Sequence, residues 1–77
     1  MNALRRKIIT KLISQIEEIR ETIESLKDTE QECFDNMPES IQDGENGQKL
    51  SDNVDNFDNV YSNLEDCISE LTEIVER

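Results

Sequence analysis

The fold is decided by residues 37–47, which read Met-Pro-Glu-Ser-Ile-Gln-Asp-Gly-Glu-Asn-Gly. Pro38 disfavours helical backbone at Met37 and so ends a helix that arrives from the N-terminal side. The dipeptides Asp43-Gly44 and Asn46-Gly47 are typical of turns. Long amphipathic segments lie on both sides of this break, so the chain is predicted to turn back on itself here.

Apolar residues recur at alternating steps of three and four in both segments, which is typical of a helix that packs lengthwise on another helix. The predicted seam of the first segment is Ile9, Leu12, Ile16, Ile19, Ile23, Leu26, Cys33 and Met37. The predicted seam of the second is Leu50, Val54, Phe57, Tyr61, Leu64, Ile68, Leu71 and Val75. Glu30 interrupts the first seam, either by reaching outward or by setting the register. In an antiparallel hairpin, the residue numbers of each facing pair add up to the same value. Aligning the two seams gives a value of about 80 or about 87, and both registers stay open.

These patterns predict an all-α fold, an antiparallel two-helix hairpin that resembles a coiled coil. The hairpin forms a single domain over residues 1–77. Helix 1 is expected at about 3–36, the turn at about 37–46 and helix 2 at about 47–76. Pro38 to Gln42 is expected to form one short turn, with Ile41 folded over the end of the core.

Each helix also carries a second apolar margin beside its seam. A seam alone suits a two-helix contact, whereas a wider apolar face suits a bundle of more helices. We therefore predict that two hairpins form a homodimeric four-helix bundle. The candidate dimer surface is Leu4, Ile8, Ile13, Val60, Cys67 and Ile74.

The net charge of −11 is large for 77 residues. It predicts repulsion from nucleic acid and from anionic membranes, so neither is an expected partner. Residues 1–16 hold four basic side chains and no acid, whereas residues 28–66 hold twelve acids and Lys49 alone. The candidate acidic partner surface is Asp43, Glu45, Asp52, Asp55, Asp58, Glu65 and Asp66.

Asp52, Asp55 and Asp58 follow one another at about 4.5 Å along a helix axis. Duplex DNA carries one charge per ~3.4 Å of each strand, so the acidic surface could imitate a phosphate backbone. The simpler interpretation is a solvated helix face. The basic start of the chain is likewise interpreted as a partner for Glu70, Glu73 and Glu76 on the returning helix.

The sequence lacks the residues that several classes of function require. The chain has no histidine, the commonest general base and a frequent metal ligand. The Asp- and Asn-rich stretches do not match the ligand spacing of an EF-hand loop. Acid pairs on helix surfaces have no predicted cleft to shift their pKa. We expect no enzyme activity, no metal and no cofactor.

The two cysteines are too far apart in the predicted hairpin for a disulfide within one chain. We expect Cys33 and Cys67 to be buried thiols of a cytoplasmic protein, with a bridge between chains as the minor alternative. The sequence has neither the pattern of a secretory signal nor an apolar run long enough to span a membrane.

Residues 32–42 resemble a motif of small acidic proteins of bacteria and their phages, in which Asp-Asn-Leu/Met-Pro-Glu-Ser-Leu/Ile-Gln follows an acidic helix. Gly47 and Asp55-Asn56 stand in matching places, whereas Gly44 stands where Ser or Thr is usual. The resemblance implies a helical hairpin in a phage or prophage setting, in the cytoplasm of a bacterial host cell. It implies no activity, because these proteins have none assigned.

Two functions from different classes follow. The first is a non-enzymatic acidic protein-binding module, an inhibitor or regulator of the phage counter-defence type. Its target would be a basic host protein that acts on nucleic acid, captured by nucleic-acid mimicry. The second is a structural, self-assembling helical module whose acidity only keeps it soluble.

Overall fold

The computed structural model describes residues 2–77, so Met1 of the predicted domain lies outside the described residues. It contains α1 (Ala3–Asp35), α2 (Glu39–Gln42) and α3 (Glu45–Glu76). The long helices α1 and α3 pack antiparallel, and the molecule measures 59 × 14 × 13 Å. The predicted all-α hairpin is confirmed, and the helix bounds lie within about two residues of those predicted from the sequence.

The corner between the long helices is held by contacts of Gln42. Its Nε2 donates a hydrogen bond to the backbone carbonyl of Phe34 at 3.0 Å, which satisfies a carbonyl near the end of α1. The amides of Ile41 and Gln42 both donate to the carbonyl of Pro38, at 2.8 and 3.1 Å. The predicted short turn after Pro38 is therefore present. Ile41 in this turn is 45% exposed, so much of its side chain remains in contact with solvent.

Gly47 in the first turns of α3 is the one fully buried residue among those described. A Cβ atom at this position would collide with the backbone of Gln42. No described residue has a positive φ, so Gly47 is required by close approach and not by backbone conformation. Pro38, Gln42 and Gly47 together fix where the chain reverses.

The seam of α3 lies where the sequence placed it. All of its predicted residues, from Leu50 to Val75, are half-buried. None is fully buried, because a two-helix hairpin covers each side chain from one side only. The core is therefore a single apolar line between the helices.

The seam of α1 differs from the prediction. The half-buried positions that alternate by four and three are Ile9, Ile13, Ile16, Arg20, Ile23, Lys27, Glu30, Phe34 and Met37. The predicted seam residues Leu12, Ile19, Leu26 and Cys33 are exposed, so that half of the predicted seam is wrong. Two neighbouring stripes on α1 both obey the same spacing, and the direction of α3 decides which of them faces inward.

Side-chain contacts across the hairpin identify the inward positions. Lys27 Nζ lies 3.0 Å from Asp58 Oδ1, and Asn53 Nδ2 donates to Glu30 Oε2 at 3.1 Å. The guanidinium carbon of Arg20 lies 5.8 Å from the centre of the Tyr61 ring. In each of these pairs the two residue numbers add up to a value between 80 and 87, so the observed register lies between the two predicted ones. Glu30 thus lies on the seam and pairs with the opposite helix.

Candidate functional site: two interaction surfaces

The two polar pairs between α1 and α3 mark opposite edges of the seam. On α3, Asn53 precedes the seam residue Val54, whereas Asp58 follows the seam residue Phe57. The two side chains therefore point to opposite sides of the hairpin, since each residue advances the helix by about 100°. Asn53 lies on one side of the hairpin, and Asp58 lies on the other.

The side that begins at Asn53 is apolar. Residues seven apart point in nearly the same direction, so Val60, Cys67 and Ile74 follow Asn53 along this edge of α3. On α1, Leu26 and Cys33 flank Glu30 at four residues before and three after, and Ile19 and Leu12 precede them at seven-residue steps. We call this set the apolar face: Leu12, Ile19, Leu26, Cys33, Val60, Cys67 and Ile74.

Every residue of the apolar face is exposed except Ile74, which is half-buried. Leu12, Ile19, Leu26 and Val60 are 43%, 52%, 46% and 41% exposed. Large aliphatic side chains lined up along one side of a small protein make that side a candidate interaction surface, because monomeric proteins rarely leave such patches uncovered. The solvent-accessible surface of 5804 Å² also exceeds the about 4,850 Å² expected for a compact monomer of this mass.

Polar residues between these aliphatic side chains on α1 are uncharged. They are Gln15, Thr22, Thr29 and Asn36. The hydroxyl groups of Thr22 and Thr29 donate to the carbonyls of Glu18 and Ser25, at 3.1 and 3.0 Å. This flank can therefore be covered without leaving a charge or a threonine donor unpaired.

The dimer surface predicted from the sequence is only partly contained in the apolar face. Val60, Cys67 and Ile74 belong to it. Leu4 and Ile8 are exposed on the first turns of α1, whereas Ile13 is half-buried on the inner seam. Leu12, Ile19, Leu26 and Cys33 face outward, although the spacing had predicted them on the seam. The available signal was the uncharged flank beside them, since the opposite flank of α1 carries acids.

Both cysteines are free and exposed. The prediction that they are buried thiols is therefore wrong for the single hairpin. Cys33 lies on the stripe that turned out to face outward, and Cys67 lies on the same side of α3. Burial of either thiol requires a second molecule on the apolar face.

The side that begins at Asp58 is polar. Glu24, Lys27, Asp58 and Tyr61 line a shallow cavity of about 120 Å³ there. The hydrogen bond from Lys27 to Asp58, and then the negative charge of Asp58, raise the pKa of Lys27 above its ordinary value of 10.5. The raised pKa favours the charged form of Lys27 and so preserves the ion pair.

The predicted acidic surface is exposed at each of its positions. Three of its carboxylates have partners: Asp58 pairs with Lys27, Glu45 with Lys49 at 3.4 Å, and Asp52 accepts from Gln48 at 2.9 Å. A three-residue step rotates the direction by about 60°, so Asp52, Asp55 and Asp58 wind around α3 and do not form a straight row. The carboxylates face away from the apolar face or lie near the corner.

The basic start of α1 has no acidic partner within the hairpin. Between residues 2 and 77 the salt bridges are Lys27–Asp58 and Lys49–Glu45. The predicted neutralisation of Arg5, Arg6, Lys7 and Lys11 by the end of α3 is therefore absent at ion-pair distance. These four side chains are exposed.

Charge divides the hairpin into two ends. The terminal end, residues 2–16 and 69–77, carries five basic side chains and three carboxylates. The loop end, residues 28–58, carries ten carboxylates and one lysine. The molecule therefore has a weakly positive end and a strongly negative end.

No protein-family model, curated protein or solved structure matches this chain. Within residues 2–77, no helix is long and apolar enough to cross a membrane. The same residues bring together no group of three metal-ligating side chains. The two surfaces are consequently the features from which a function can be argued.

Proposed function

We propose that this protein is a non-enzymatic, acidic protein-binding module that works as a homodimer. Two hairpins join through their apolar faces into a four-helix bundle. The carboxylates that remain outside bind a basic surface on another protein. The observation that carries this proposal is the segregation of apolar and acidic residues onto different sides of one hairpin.

Because the apolar and acidic residues lie on different sides, dimerisation and binding of a partner protein do not compete for the same surface. Covering Leu26 and Val60 with a second hairpin leaves Asp52 and Asp55 on the outer surface of α3 accessible. A bundle of two copies also doubles the negative charge presented to a partner. Surfaces of opposite charge accelerate encounter and select partners more than they add affinity.

The partner class follows from the charge. A basic groove or surface that receives a negatively charged partner is a common feature of proteins that bind nucleic acid. The motif at residues 32–42 favours a bacterial host protein as the target and a phage-encoded inhibitor or regulator as the role.

A second candidate function is a structural, self-assembling helical module without an acidic partner. The exposed apolar face favours it, because self-association alone would cover that face. In this case the acids only keep the bundle soluble.

The test is capture from bacterial lysate on immobilised protein, with elution by duplex DNA at low salt. A partner held through its nucleic-acid groove is released by DNA, and its retention falls at least tenfold between 50 and 300 mM salt. Elution by DNA is informative because DNA is repelled by the acidic protein itself. Recovery of the protein alone, or of partners that DNA and salt do not release, would contradict the acidic-surface proposal and favour the structural module.

Matched variants sharpen this test. Asp43→Asn, Asp52→Asn and Asp55→Asn together remove three charges near the loop end and leave the Lys27–Asp58 pair intact. Glu70→Gln, Glu73→Gln and Glu76→Gln remove the same charge at the terminal end. The first triple variant should lose the DNA-elutable partner, and the second should keep it. Equal losses would mean that only the total charge matters.

A further inference from the structure

We infer that two copies pair head to tail through the apolar face, so that the terminal end of each lies against the loop end of the other. This inference rests on the proposed dimer and adds its orientation. The occupant of the apolar face is a second copy of this chain.

The composition of the face suits a helical partner of the same kind. Its α1 edge is free of charge from Ile8 to Asn36, a run of about eight helical turns. Self-pairing therefore brings aliphatic side chains against aliphatic side chains along that length. The threonine hydroxyls on this edge are already bonded within their own helix.

The length of the face suits a lengthwise contact between helices. The α1 edge from Ile8 to Asn36 extends over about 42 Å of helix, within a hairpin that is 59 Å long. Pairing two such faces also gives the two-layer arrangement of a four-helix bundle.

Charge decides the orientation. In a head-to-tail pair, the basic terminal end of one copy meets the acidic loop end of the other. In the alternative arrangement, with both terminal ends together, the two acidic loop ends would lie side by side and repel each other. Like charges brought together at an interface disfavour the arrangement that contains them.

The charges at the ends of α1 also favour the head-to-tail orientation. A helix dipole favours acids in the first turn and bases in the last turn, and α1 has neither. The four basic residues near its start have no acidic partner at ion-pair distance within the hairpin. A second copy placed head to tail brings carboxylates to that basic start.

Axial positions follow from the spacing of the face. The α1 residues Leu12, Ile19, Leu26 and Cys33 are centred between Ile19 and Leu26, where the two-fold axis would lie. Ile19 of one copy then faces Leu26 of the other, and the α1 helices cross the interface antiparallel. The distance between a residue in one copy and the same residue in the other copy therefore grows with that residue's distance from the axis.

Spin labels on the outer surface of α1 test the orientation in the full chain. Ser25→Cys and Glu32→Cys, each in a Cys33→Ala, Cys67→Ala background, place labels in the same direction one heptad apart. In a head-to-tail dimer the axial separation between copies is about 8 Å at residue 25 and about 29 Å at residue 32. The label-to-label distance measured by pulsed dipolar spectroscopy should therefore be clearly longer for Glu32→Cys.

Equal distances for the two labels would overturn the head-to-tail orientation and leave the dimer standing. Sedimentation of the native chain is measured first, and a monomer at that stage would overturn the dimer itself. Because Cys33→Ala and Cys67→Ala remove side-chain contacts of the apolar face, the labelled chains are measured at a concentration at which their sedimentation matches that of the native dimer.

A charge experiment gives independent evidence. Arg6→Gln, Lys7→Gln and Lys11→Gln together should weaken dimerisation several-fold at 50 mM salt and much less at 500 mM. Removing acids at the same end, with Glu70→Gln, Glu73→Gln and Glu76→Gln, should strengthen it. Changes of the opposite sign would indicate that the two terminal ends lie together.

Discussion

The two long helices use the same heptad spacing in different ways. α3 places its main apolar stripe on the inner seam, from Leu50 to Val75. α1 divides its aliphatic residues between the seam and the apolar face, and fills the middle of its seam with Arg20, Lys27 and Glu30. This difference supports the proposed second layer, because the aliphatic residues that α1 directs outward are exposed in the single hairpin.

The largest effect is expected where α3 meets the corner. Gly47→Ala should lower the free energy of unfolding by about 2 kcal/mol, because the added Cβ collides with the backbone of Gln42. The loss appears even though alanine favours helix by roughly 1 kcal/mol over glycine. Gly44→Ala is the control, since its Cβ would lie 3.2 Å from the carbonyl oxygen of Ile41 and needs only a small shift. Chemical denaturation measures both, and equal losses would contradict the role of Gly47.

Two leucines compare the seam with the apolar face directly. Leu64→Ala on the seam of α3 should cost about 2 kcal/mol at every protein concentration, because it removes contacts within one hairpin. Leu26→Ala on the apolar face should instead weaken the dimer. The resulting fall in the thermal midpoint should depend on the protein concentration. Thermal unfolding over a hundredfold range of concentration separates the two. A concentration-independent loss for Leu26→Ala would mean that this face is not an interface.

The polar middle of the α1 seam is expected to cost stability. Glu30→Leu should raise the free energy of unfolding by about 1 kcal/mol, because leucine is stabilised by the half-buried position and Asn53 remains solvent-exposed. Glu32→Leu, on the outer surface of the same helix, is the matched control and should leave the hairpin stability nearly unchanged. Denaturant titration compares them. A loss of stability in Glu30→Leu would show that the Glu30–Asn53 bond holds the register.

The smallest effect concerns the ion pair on the polar side. The pKa of Lys27 is raised in the folded protein, so the stability that it contributes is fully present below its ordinary pKa of 10.5 and is lost as the pH rises through the higher folded value. The thermal midpoint should therefore fall more steeply above pH 10.5 in the native chain than in Lys27→Met. Identical slopes for the two chains would contradict the pairing.

Much of the fold could be predicted from local chemistry. Pro38 and the glycines near it indicated where the chain turns, and the spacing from Leu50 onward indicated the seam of α3. The seam of α1 could not be predicted in the same way. Its two apolar stripes obey one periodicity, and only the position of α3 distinguishes them. The roles of Gln42 and Gly47 were also hidden, since a cap and a close approach involve residues distant in the local pattern.

The candidate surfaces show the same division. The exposed carboxylates were predicted from charge alone, because acids on a small helical hairpin rarely find enough cations to be covered. The apolar face was predicted with only three of its seven residues. The other four had been assigned to the seam, since hydrophobicity by itself does not distinguish an inner contact from an outer one.

Two amphipathic helices, the place where the chain reverses and the negative charge near the corner all follow from the order of the amino acids. They are consequences of backbone preferences, periodicity and composition, each of which acts over a few neighbouring residues. Which stripe of α1 meets α3 and which stays exposed follows only from the packing of the two helices. That choice depends on the rotation of one helix about its axis relative to the other, a quantity that no local preference specifies.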